Sequence, residues 1–400
     1  MVIERLAYLE RIKPYVGKNI IKVLTGVRRS GKSTLLYLLK RHMLAQGASE
    51  ANMLHLRFES AQLADVKNDK DLTQYVYEHI DPKKPICLFL DEIQEVEHWE
   101  RALRAFMVDC DADIYITGSN ASVLSSDLAT FITGRYVTIE VFPLSFKEFE
   151  PAYRVAHPKA DNREAFRAYV VQGGFPFQNE LDFDQDASLH YLDDLFSTIL
   201  LKDVVKRNDI RDVDMLERIV RYAVAEEGHL LTTKRISDYL KSEQRKVSAA
   251  TVTNYLEAAT QAYLLYRVRR EDAVGKKMLS FNDKYYVVDQ GLRQALGLNN
   301  VANVDQVLEG IVYTELLRRG YKVNVGKVGD AEVDFIVRRN GETEYYQVSY
   351  LVADEQTRNR EFGVLAKIND NYRKTVLSLD EFPYSVDGIR GVNLVDWLLE

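Results

Sequence analysis

The sequence predicts an α/β protein that begins with a mostly parallel sheet covered by helices on both faces. Short β-branched or apolar runs alternate with amphipathic helical segments from residue 1 to about residue 145, which is typical of βαβ units. With 400 residues, 46% of them apolar, the chain can form more than one packed core. The predicted strands are Ile20–Thr25, Met53–Phe58, Ile86–Asp91, Ile114–Thr117 and Tyr136–Val141.

Three further regions are predicted after this sheet. Residues 146–210 are expected to be helical and lid-sized, with a turn at residues 172–176. Residues 211–300 should form three helices and a two-strand hairpin that turns at Gly275, the order of a winged helix. Residues 301–400 begin with a long helix, Asp305–Arg319, and continue as a second α/β region. The predicted domains are therefore 1–145, 146–210, 211–300 and 301–400.

Composition limits the classes of function. Two cysteines, Cys87 and Cys110, are too few for a disulfide framework or a metal cluster, and no long apolar run or export signal occurs, so we expect a cytoplasmic protein without membrane contact. The net charge of −7 argues against coating of nucleic acid by bulk electrostatics. Residues 211–290 carry 14 Lys/Arg against 12 Asp/Glu, whereas residues 291–400 carry 13 against 17. Of these two segments, only residues 211–290 have a charge balance suited to contact with nucleic-acid phosphates.

A phosphate-binding loop is predicted at residues 26–33. The run fits G-x-x-x-x-G-K-[ST], follows an apolar strand and opens a helix. Backbone N–H groups at the positive end of that helix would face the phosphates of ATP, while Lys32 reaches the β- and γ-phosphates and Ser33 ligands Mg²⁺. The residues expected to surround the nucleotide are Gly26, Val27, Arg28, Arg29, Ser30, Gly31, Lys32, Ser33 and Thr34.

A second motif places two acids at the end of an apolar strand, Asp91 and Glu92. Asp91 is expected to hold Mg²⁺ through water, and Glu92 to polarise the attacking water. This adjacency favours hydrolysis of ATP. The alternative is that Glu92 only caps the next helix.

Two further positions are candidates for contact with the γ-phosphate. The strand that ends at Thr117 is followed by Ser119 and Asn120, which could orient water or sense the phosphate; Thr117 is the second choice, and capping of a helix near Ala121 is the alternative. Arg135 stands before the fifth strand and could stabilise phosphoryl charge, within its own chain or in a neighbouring subunit. A surface ion pair is the competing interpretation.

With these motifs, the chain resembles a prokaryotic family of AAA-type P-loop ATPases that carry an AAA domain followed by a DUF4143-type region. The similar stretches are GVRRSGKST, LFLDEIQ, ITGSN, TGRYVTIEVFPLSFKEF, GGFP and EVDF. The resemblance implies a sheet in the order 5-1-4-3-2 and Arg135 as an arginine finger. It also implies a nucleotide-sensing lid in which Gly173, Gly174 and Pro176 approach the base.

The resemblance further implies a winged helix and a C-terminal domain of the PD-(D/E)XK nuclease fold. The equivalent nuclease positions are Glu309, Asp334, Gln347 and Ser349, and the last two replace an acid and a lysine. Without that acid Mg²⁺ loses a charged ligand, and without that lysine no cation positions the attacking water. We therefore expect a degenerate domain that does not cleave phosphodiesters.

The expected recognition helix, Ser248–Gln261, presents no cation, so base reading is not supported. It offers Thr251, Thr253, Asn254 and Glu257, while the cations that flank it are Arg245, Lys246, Arg269, Arg270, Lys276 and Lys277. Contact with DNA phosphates and a protein-docking role both stay open.

The sequence thus predicts an Mg²⁺-dependent ATPase that drives or gates a conformational change on a macromolecular partner, with DNA as a candidate, and that forms a homo-oligomer. A regulatory or defence scaffold without motor activity is the main alternative. An ATP-gated nuclease is the third, and the degraded motif disfavours it.

Overall fold

The computed structural model describes residues 2–121, 134–275, 277–279 and 282–400. They group into two compact units, which we call the first unit (2–142 with 261–263) and the second unit (143–260 with 264–400). Within these described ranges, every helix is too short or too polar to cross a bilayer.

The first unit is built on a five-stranded parallel sheet in the order β2-β3-β4-β1-β5. This is the predicted order 5-1-4-3-2 read from the other edge, so the predicted P-loop α/β fold is confirmed. The strands are β1 Ile21–Thr25, β2 Met53–Arg57, β3 Ile86–Asp91, β4 Ala112–Thr117 and β5 Tyr136–Glu140. The helices are α1 Leu6–Ile12, α2 Lys32–Ala45, α3 Asp69–His79 and α4 Trp99–Asp109.

The central strands of the sheet are buried on both faces. Every residue of β1, β3 and β4 is buried, as expected for strands covered on both faces. Strand β4 begins two residues earlier than predicted because Asp113 is a buried member of it. Its carboxylate accepts hydrogen bonds from the Gly17 amide at 2.9 Å and the Tyr115 hydroxyl at 3.0 Å, and pairs with the Lys22 ammonium. A fully partnered carboxylate can lie inside a sheet.

The second unit begins with helices and continues into two sheets. A π-helical turn, Ile199–Val205, extends α7. The helices are α5 Phe146–Ala156, α6 Asn162–Gln172, α7 Gln185–Thr198, α8 Val213–Ala225, α9 Thr233–Ser242, α10 Ala249–Gln261, α11 Gln290–Ala295, α12 Val304–Arg318, α13 Glu355–Ala366 and α14 Leu394–Leu399. The strands are β6 Leu230–Leu231, β7 Leu265–Val268, β8 Arg270–Asp272, β9 Lys277–Met278, β10 Asp283–Val287, β11 Lys322–Val328, β12 Ala331–Arg339, β13 Glu342–Val348, β14 Arg373–Ser378 and β15 Arg390–Asn393.

The hairpin around Gly275 differs from the prediction. Strands β6, β10 and β7 form a three-stranded antiparallel sheet. Strands β8 and β9, which flank Gly275, instead join the seven-stranded sheet β15-β14-β13-β12-β11-β8-β9, where β8 pairs in parallel with β11. The hairpin is therefore an edge of the C-terminal sheet.

The turn after α6 is fixed by a buried carboxylate. Gly173 has φ +75°, and a Cβ there would lie 1.8 Å from Asp289 Oδ1. Asp289 Oδ2 accepts a hydrogen bond from the Gly174 amide at 2.7 Å, and Oδ1 accepts one from the Gly291 amide at 2.9 Å. A side chain at Gly173 would displace this acceptor, and a Cβ on Gly174 would lie 2.3 Å from the carbonyl oxygen of Leu144, so each position has its own reason to be glycine.

Glu227, just after α8, is a buried carboxyl group that ties α8 to β10 and α11. Its Oε1 accepts a hydrogen bond from the Val287 amide at 3.0 Å, and its Oε2 lies 3.6 Å from Arg293 Nε. Burial raises the pKa of Glu227 to about 8, although Arg293 and the Val287 amide act in the opposite direction. The folded protein therefore retains a proton that the unfolded chain releases.

We expect Glu227→Gln to change how stability depends on pH. Because the folded pKa lies above the ordinary value of 4.5, the free energy of unfolding should fall as pH rises from about 4.5 to about 8. The limiting slope for one proton is about 1.4 kcal/mol per pH unit. The Tm of Glu227→Gln minus the Tm of the wild type should therefore increase between pH 5 and pH 8. Tm curves that run parallel would contradict this, and Glu226→Gln should behave as the wild type.

Candidate nucleotide site

The P-loop joins β1 to α2 at the carboxyl edge of the first unit's sheet. Gly26 has φ +133°, and a Cβ there would lie 2.3 Å from the carbonyl oxygen of Val141. Gly31 is left-handed, with φ +98° and ψ +20°, and forms the N-cap of α2. Both positions require glycine, for close approach of backbone at Gly26 and for backbone conformation at Gly31.

The Lys32 side chain lies inside the loop and not in solvent. It is 4% exposed, and its Nζ donates hydrogen bonds to the carbonyl oxygens of Gly26 at 2.9 Å and Val27 at 3.0 Å. The ammonium group is therefore held at the centre of the loop. This is where a positive charge can meet the phosphates of a nucleotide.

Ser33, Asp91 and Thr117 form one hydrogen-bonded group at the carboxyl ends of β3 and β4. Asp91 Oδ1 accepts hydrogen bonds from the Ser33 hydroxyl at 3.0 Å and from the Thr117 hydroxyl at 2.6 Å. Asp91 is 4% exposed, and Arg57 Nε lies 3.9 Å from its Oδ2. The structure thus brings together the hydroxyl and carboxylate oxygens that a hard cation such as Mg²⁺ prefers.

Glu92 is held beside this group by a strained backbone. Its φ of +56° and ψ of +51° are uncommon for a residue with a side chain, and its amide donates to Thr117 Oγ1 at 2.8 Å. Its carboxylate accepts a hydrogen bond from the Gln94 side chain. Glu92 precedes the short 3₁₀ turn Ile93–Glu95, but its side chain caps no backbone amide of that turn. Helix capping is therefore not the reason for an acid at this position.

Asn120 and Ser119 lie at the end of β4, next to β1. They are 2% and 0% exposed, and the neighbouring Gly118 amide donates to the Leu24 carbonyl at 3.1 Å. They were predicted to cap a helix that begins near Ala121, and residues 122–133, which follow Ala121, lie outside the described residues. Their role as γ-phosphate sensors stays a prediction.

Arg135 was predicted to act within its own chain or in a neighbouring subunit, and its position in the sheet bears on the first of these alternatives. Its carbonyl accepts a hydrogen bond from the Ile21 amide at 3.0 Å, and Tyr136 is paired with Ile21, so Arg135 stands at the amino edge of the sheet. The P-loop leaves β1 at the carboxyl edge. A five-residue strand spans roughly 17 Å, more than an arginine side chain can reach, so Arg135 does not serve the P-loop of its own chain. A role in a neighbouring subunit stays a prediction.

The other predicted loop residues have different environments. Val27 is buried, and Arg28 Nη1 lies 3.4 Å from Glu59 Oε1. Arg29 has φ +67°, and Ser30 is fully buried with no hydrogen-bond partner for its hydroxyl among the described residues. Thr34 lies in the first turn of α2.

Sequence reasoning missed Arg5 and Arg57 and ranked Thr117 second. Arg57 is the last residue of β2 and is paired in register with Asp91, so its place at the carboxyl edge could have been found from the strand order. Thr117 likewise ends its strand. Arg5 precedes α1 and donates to the P-loop carbonyl of Ser30, a contact that no local pattern indicates.

This geometry agrees with the similarity of the chain to known proteins. An AAA domain profile matches residues 18–150, and a profile for a domain of unknown function, DUF8612, matches residues 163–304. An uncharacterised protein of Haemophilus influenzae is 37% identical over 402 residues, which cover 100% of this chain and 99% of that protein. The chain carries an AAA domain and belongs to the same family as this relative.

This AAA-type protein is also similar to a more distant relative and to a solved structure. An uncharacterised protein of Methanocaldococcus jannaschii, MJ1544, is 28% identical over 391 residues, 94% of this chain and 85% of that protein. The Walker-type ATPase of Pyrococcus abyssi shares the fold with a TM-score of 0.50 and 14% identity, over 74% of this chain and 96% of that one. The resemblance had implied a DUF4143-type region, and the profile that matches residues 163–304 is a different one.

Pro176 lies in the second unit of this AAA-type protein. It is half-buried and opens the 3₁₀ helix Pro176–Leu181 directly after the turn that Asp289 fixes. Its contact with the base stays a prediction. The same holds for Gly173 and Gly174, whose surroundings are described above.

The residues that the resemblance equates with a nuclease centre only partly come together. Asp334 Oδ2 accepts a hydrogen bond from the Val348 amide at 2.8 Å, and the Asp334 amide donates to Gln347 Oε1 at 3.2 Å. The Ser349 hydroxyl instead donates to the Leu351 carbonyl at 3.3 Å. Burial raises the pKa of Asp334 well above its ordinary range, and neighbouring Glu309 adds to this effect.

A lysine from the preceding region contacts Glu309 and Glu332, two acidic residues near Asp334. Lys284, on β10, is 2% exposed, and its Nζ lies 2.8 Å from Glu309 Oε1 and 2.6 Å from Glu332 Oε1. The Tyr286 hydroxyl donates to the same oxygen of Glu309 at 2.5 Å. Within the described part of the chain, no group of three or more His, Cys, Asp or Glu side chains is arranged to hold a metal ion. The Lys284 ammonium is therefore the cation that Glu309 and Glu332 contact in this cluster.

Proposed function

We propose that this AAA-type protein binds Mg²⁺-ATP in its first unit and hydrolyses it. The observation that carries the proposal is the hydrogen bond of 3.0 Å between the Ser33 hydroxyl of the P-loop and the Asp91 carboxylate, which brings both nucleotide motifs to one point. Thr117 extends this group to the amide of Glu92. The acid expected to act on water is thus beside the expected Mg²⁺ ligands.

Each residue has a role that its surroundings support. Lys32 would exchange its two carbonyl acceptors for phosphate oxygens, which carry more charge. Ser33 and Asp91 would hold Mg²⁺, which when bound neutralises charge on the β- and γ-phosphates. Glu92 would accept a proton from, or orient, the attacking water. Asn120 and, from a neighbouring subunit of a homo-oligomer, Arg135 would contact the γ-phosphate.

ATP binding is tested with Lys32→Ala and a matched control on the same helix. Loss of the ammonium group removes charge-assisted hydrogen bonds to two phosphates, so the Kd for Mg²⁺-ATP should rise by about 100-fold or more. Lys40→Ala, whose ammonium pairs with Glu50 at 2.8 Å, should bind ATP as the wild type does. Calorimetry measures both. A wild type without affinity for Mg²⁺-ATP, or a Lys32→Ala protein with unchanged affinity, would contradict the proposal.

We further propose that hydrolysis changes how the second unit engages a cytoplasmic macromolecular partner. The element order α8, β6, α9, α10, β7, β10 supports a winged-helix interpretation. The exposed side of α10 carries Thr253, Asn254 and Glu257, without a cation, so DNA could be held only through phosphate contacts from flanking residues. Among these, Arg245 already pairs with Asp214, and Lys276 lies outside the described residues.

Measurement of the ATPase rate with and without duplex DNA tests whether the partner is DNA or a protein. Stimulation that weakens steeply with salt would support DNA. An unchanged rate, in a protein that stays monomeric with ATP, would favour the scaffold alternative. Nuclease chemistry finds no support in the cluster around Lys284, so we do not propose it.

A further inference from the structure

The segment before β1 reaches the P-loop through one buried side chain. Arg5 is 2% exposed and stands directly before α1, where its carbonyl accepts hydrogen bonds from the amides of Tyr8 and Leu9. Its guanidinium group donates from Nη1 to the Ser30 carbonyl at 3.1 Å and from Nη2 to the Phe142 carbonyl at 2.9 Å. Arg5 thus bridges the P-loop and the end of the β5 segment.

The bridge is rigid because its components hold one another. The guanidinium carbon of Arg5 lies 4.6 Å from the centre of the Tyr8 ring, a cation–π contact. The Tyr8 hydroxyl in turn accepts a hydrogen bond from the Phe142 amide at 3.0 Å. Both groups of Phe142, amide and carbonyl, are therefore bound by the N-terminal segment. A planar guanidinium presents its N–H groups in fixed directions from separate nitrogen atoms, which suits two carbonyl acceptors on different segments.

The contact with Ser30 has a consequence for the phosphate site. The peptide bond is planar and trans, so its C=O and N–H point in opposite directions. When Arg5 holds the carbonyl of Ser30, the amide of Gly31 must point away from Arg5. P-loops bind phosphate through such backbone amides, and any amide that rotates freely has to be ordered when the nucleotide binds.

We propose that Arg5 is a positioning residue for the triphosphate: it fixes the Ser30–Gly31 peptide so that the Gly31 amide faces the phosphates. This inference rests on the proposed function and extends it to a residue outside both nucleotide motifs. Arg5 acts before ATP arrives, and it contributes to affinity more than to the chemical step.

The test compares Arg5→Lys and Arg5→Ala with Lys13→Ala, a control in the same N-terminal segment whose exposed ammonium lies 3.6 Å from Glu10. For Arg5→Lys, KM and Kd for Mg²⁺-ATP should rise about 10- to 100-fold, the range expected for lost charge-assisted hydrogen bonds, while kcat changes less than about threefold. N-methylguanidinium should restore part of the affinity of Arg5→Ala. Lys13→Ala should match the wild type.

The readouts separate positioning from a general structural role. A variant that merely folds less well has fewer active molecules, which lowers the apparent kcat and leaves KM unchanged. Unchanged KM and Kd in both Arg5 variants, with a wild type that binds ATP, would overturn the role of Arg5 alone. A wild type that binds no Mg²⁺-ATP would overturn the proposed function and this inference with it.

Discussion

The Glu92→Gln protein should bind Mg²⁺-ATP and fail to turn it over. Glutamine keeps the size of the side chain and the hydrogen bond with Gln94 but cannot accept a proton at neutral pH. Removal of a general base typically lowers a rate by about 10²- to 10⁴-fold, so kcat should fall by at least about 100-fold. Affinity for ATP should stay within about threefold of the wild type, because Lys32, Ser33 and Asp91 are unchanged.

The matched control is Glu95→Gln, an exposed acid three residues further along the chain. It should release phosphate at the rate of the wild type. Single-turnover phosphate release and equilibrium binding together decide the matter. Undiminished turnover in Glu92→Gln would show that Glu92 is not the general base. Loss of ATP binding would show instead that Glu92 maintains the structure of the nucleotide site.

Replacement of Lys284 with alanine should cost the second unit about 3–5 kcal/mol of unfolding free energy. The ammonium group balances Glu309 and Glu332, and removal of one member of a buried ion pair leaves carboxylates without a partner in a region of low polarity. Although burial by itself lowers the pKa of Lys284, neighbouring Glu309, Asp334 and Glu332 outweigh this and raise it. The stabilisation is therefore present at neutral pH and is lost only at strongly alkaline pH.

Denaturant unfolding of Lys284→Ala against Lys322→Ala measures this contribution, because Lys322 is an exposed lysine on β11. The control should change stability by less than about 0.5 kcal/mol. Adding Glu309→Gln to Lys284→Ala should recover part of the loss, since it removes one of the unbalanced charges. Equal stability of Lys284→Ala and the wild type would contradict this account of the cluster.

The parts of the site that the sequence predicts are those whose residues are neighbours in the chain. The P-loop and the Asp91-Glu92 pair are short motifs on predicted strands, so the carboxyl edge of the sheet could be assigned directly. The place of Arg135 at the amino edge also follows from the sequence, because a residue that precedes a strand in a parallel sheet lies at that edge.

The remaining contacts join residues that are far apart in sequence. Arg5 meets Ser30 across 25 positions and Phe142 across 137, and Lys284 meets Glu309 across 25. Such pairs depend on how helices and strands pack, which hydrophobic periodicity does not encode. The hairpin at Gly275 shows the same limit: its turn was predicted, but the sheet it joins depends on β11, some 50 residues later.

The seven-stranded sheet contains strands from both the middle and the C-terminal regions, and this limits how the chain can be divided for experiments. Strand β8 precedes residue 300 and β11 follows it, so a chain cut there would leave backbone donors and acceptors of the hairpin unpaired. The cut would also separate Lys284 from both of its acidic partners. Fragments made on this boundary are expected to aggregate, and the middle and C-terminal regions should be expressed as one piece.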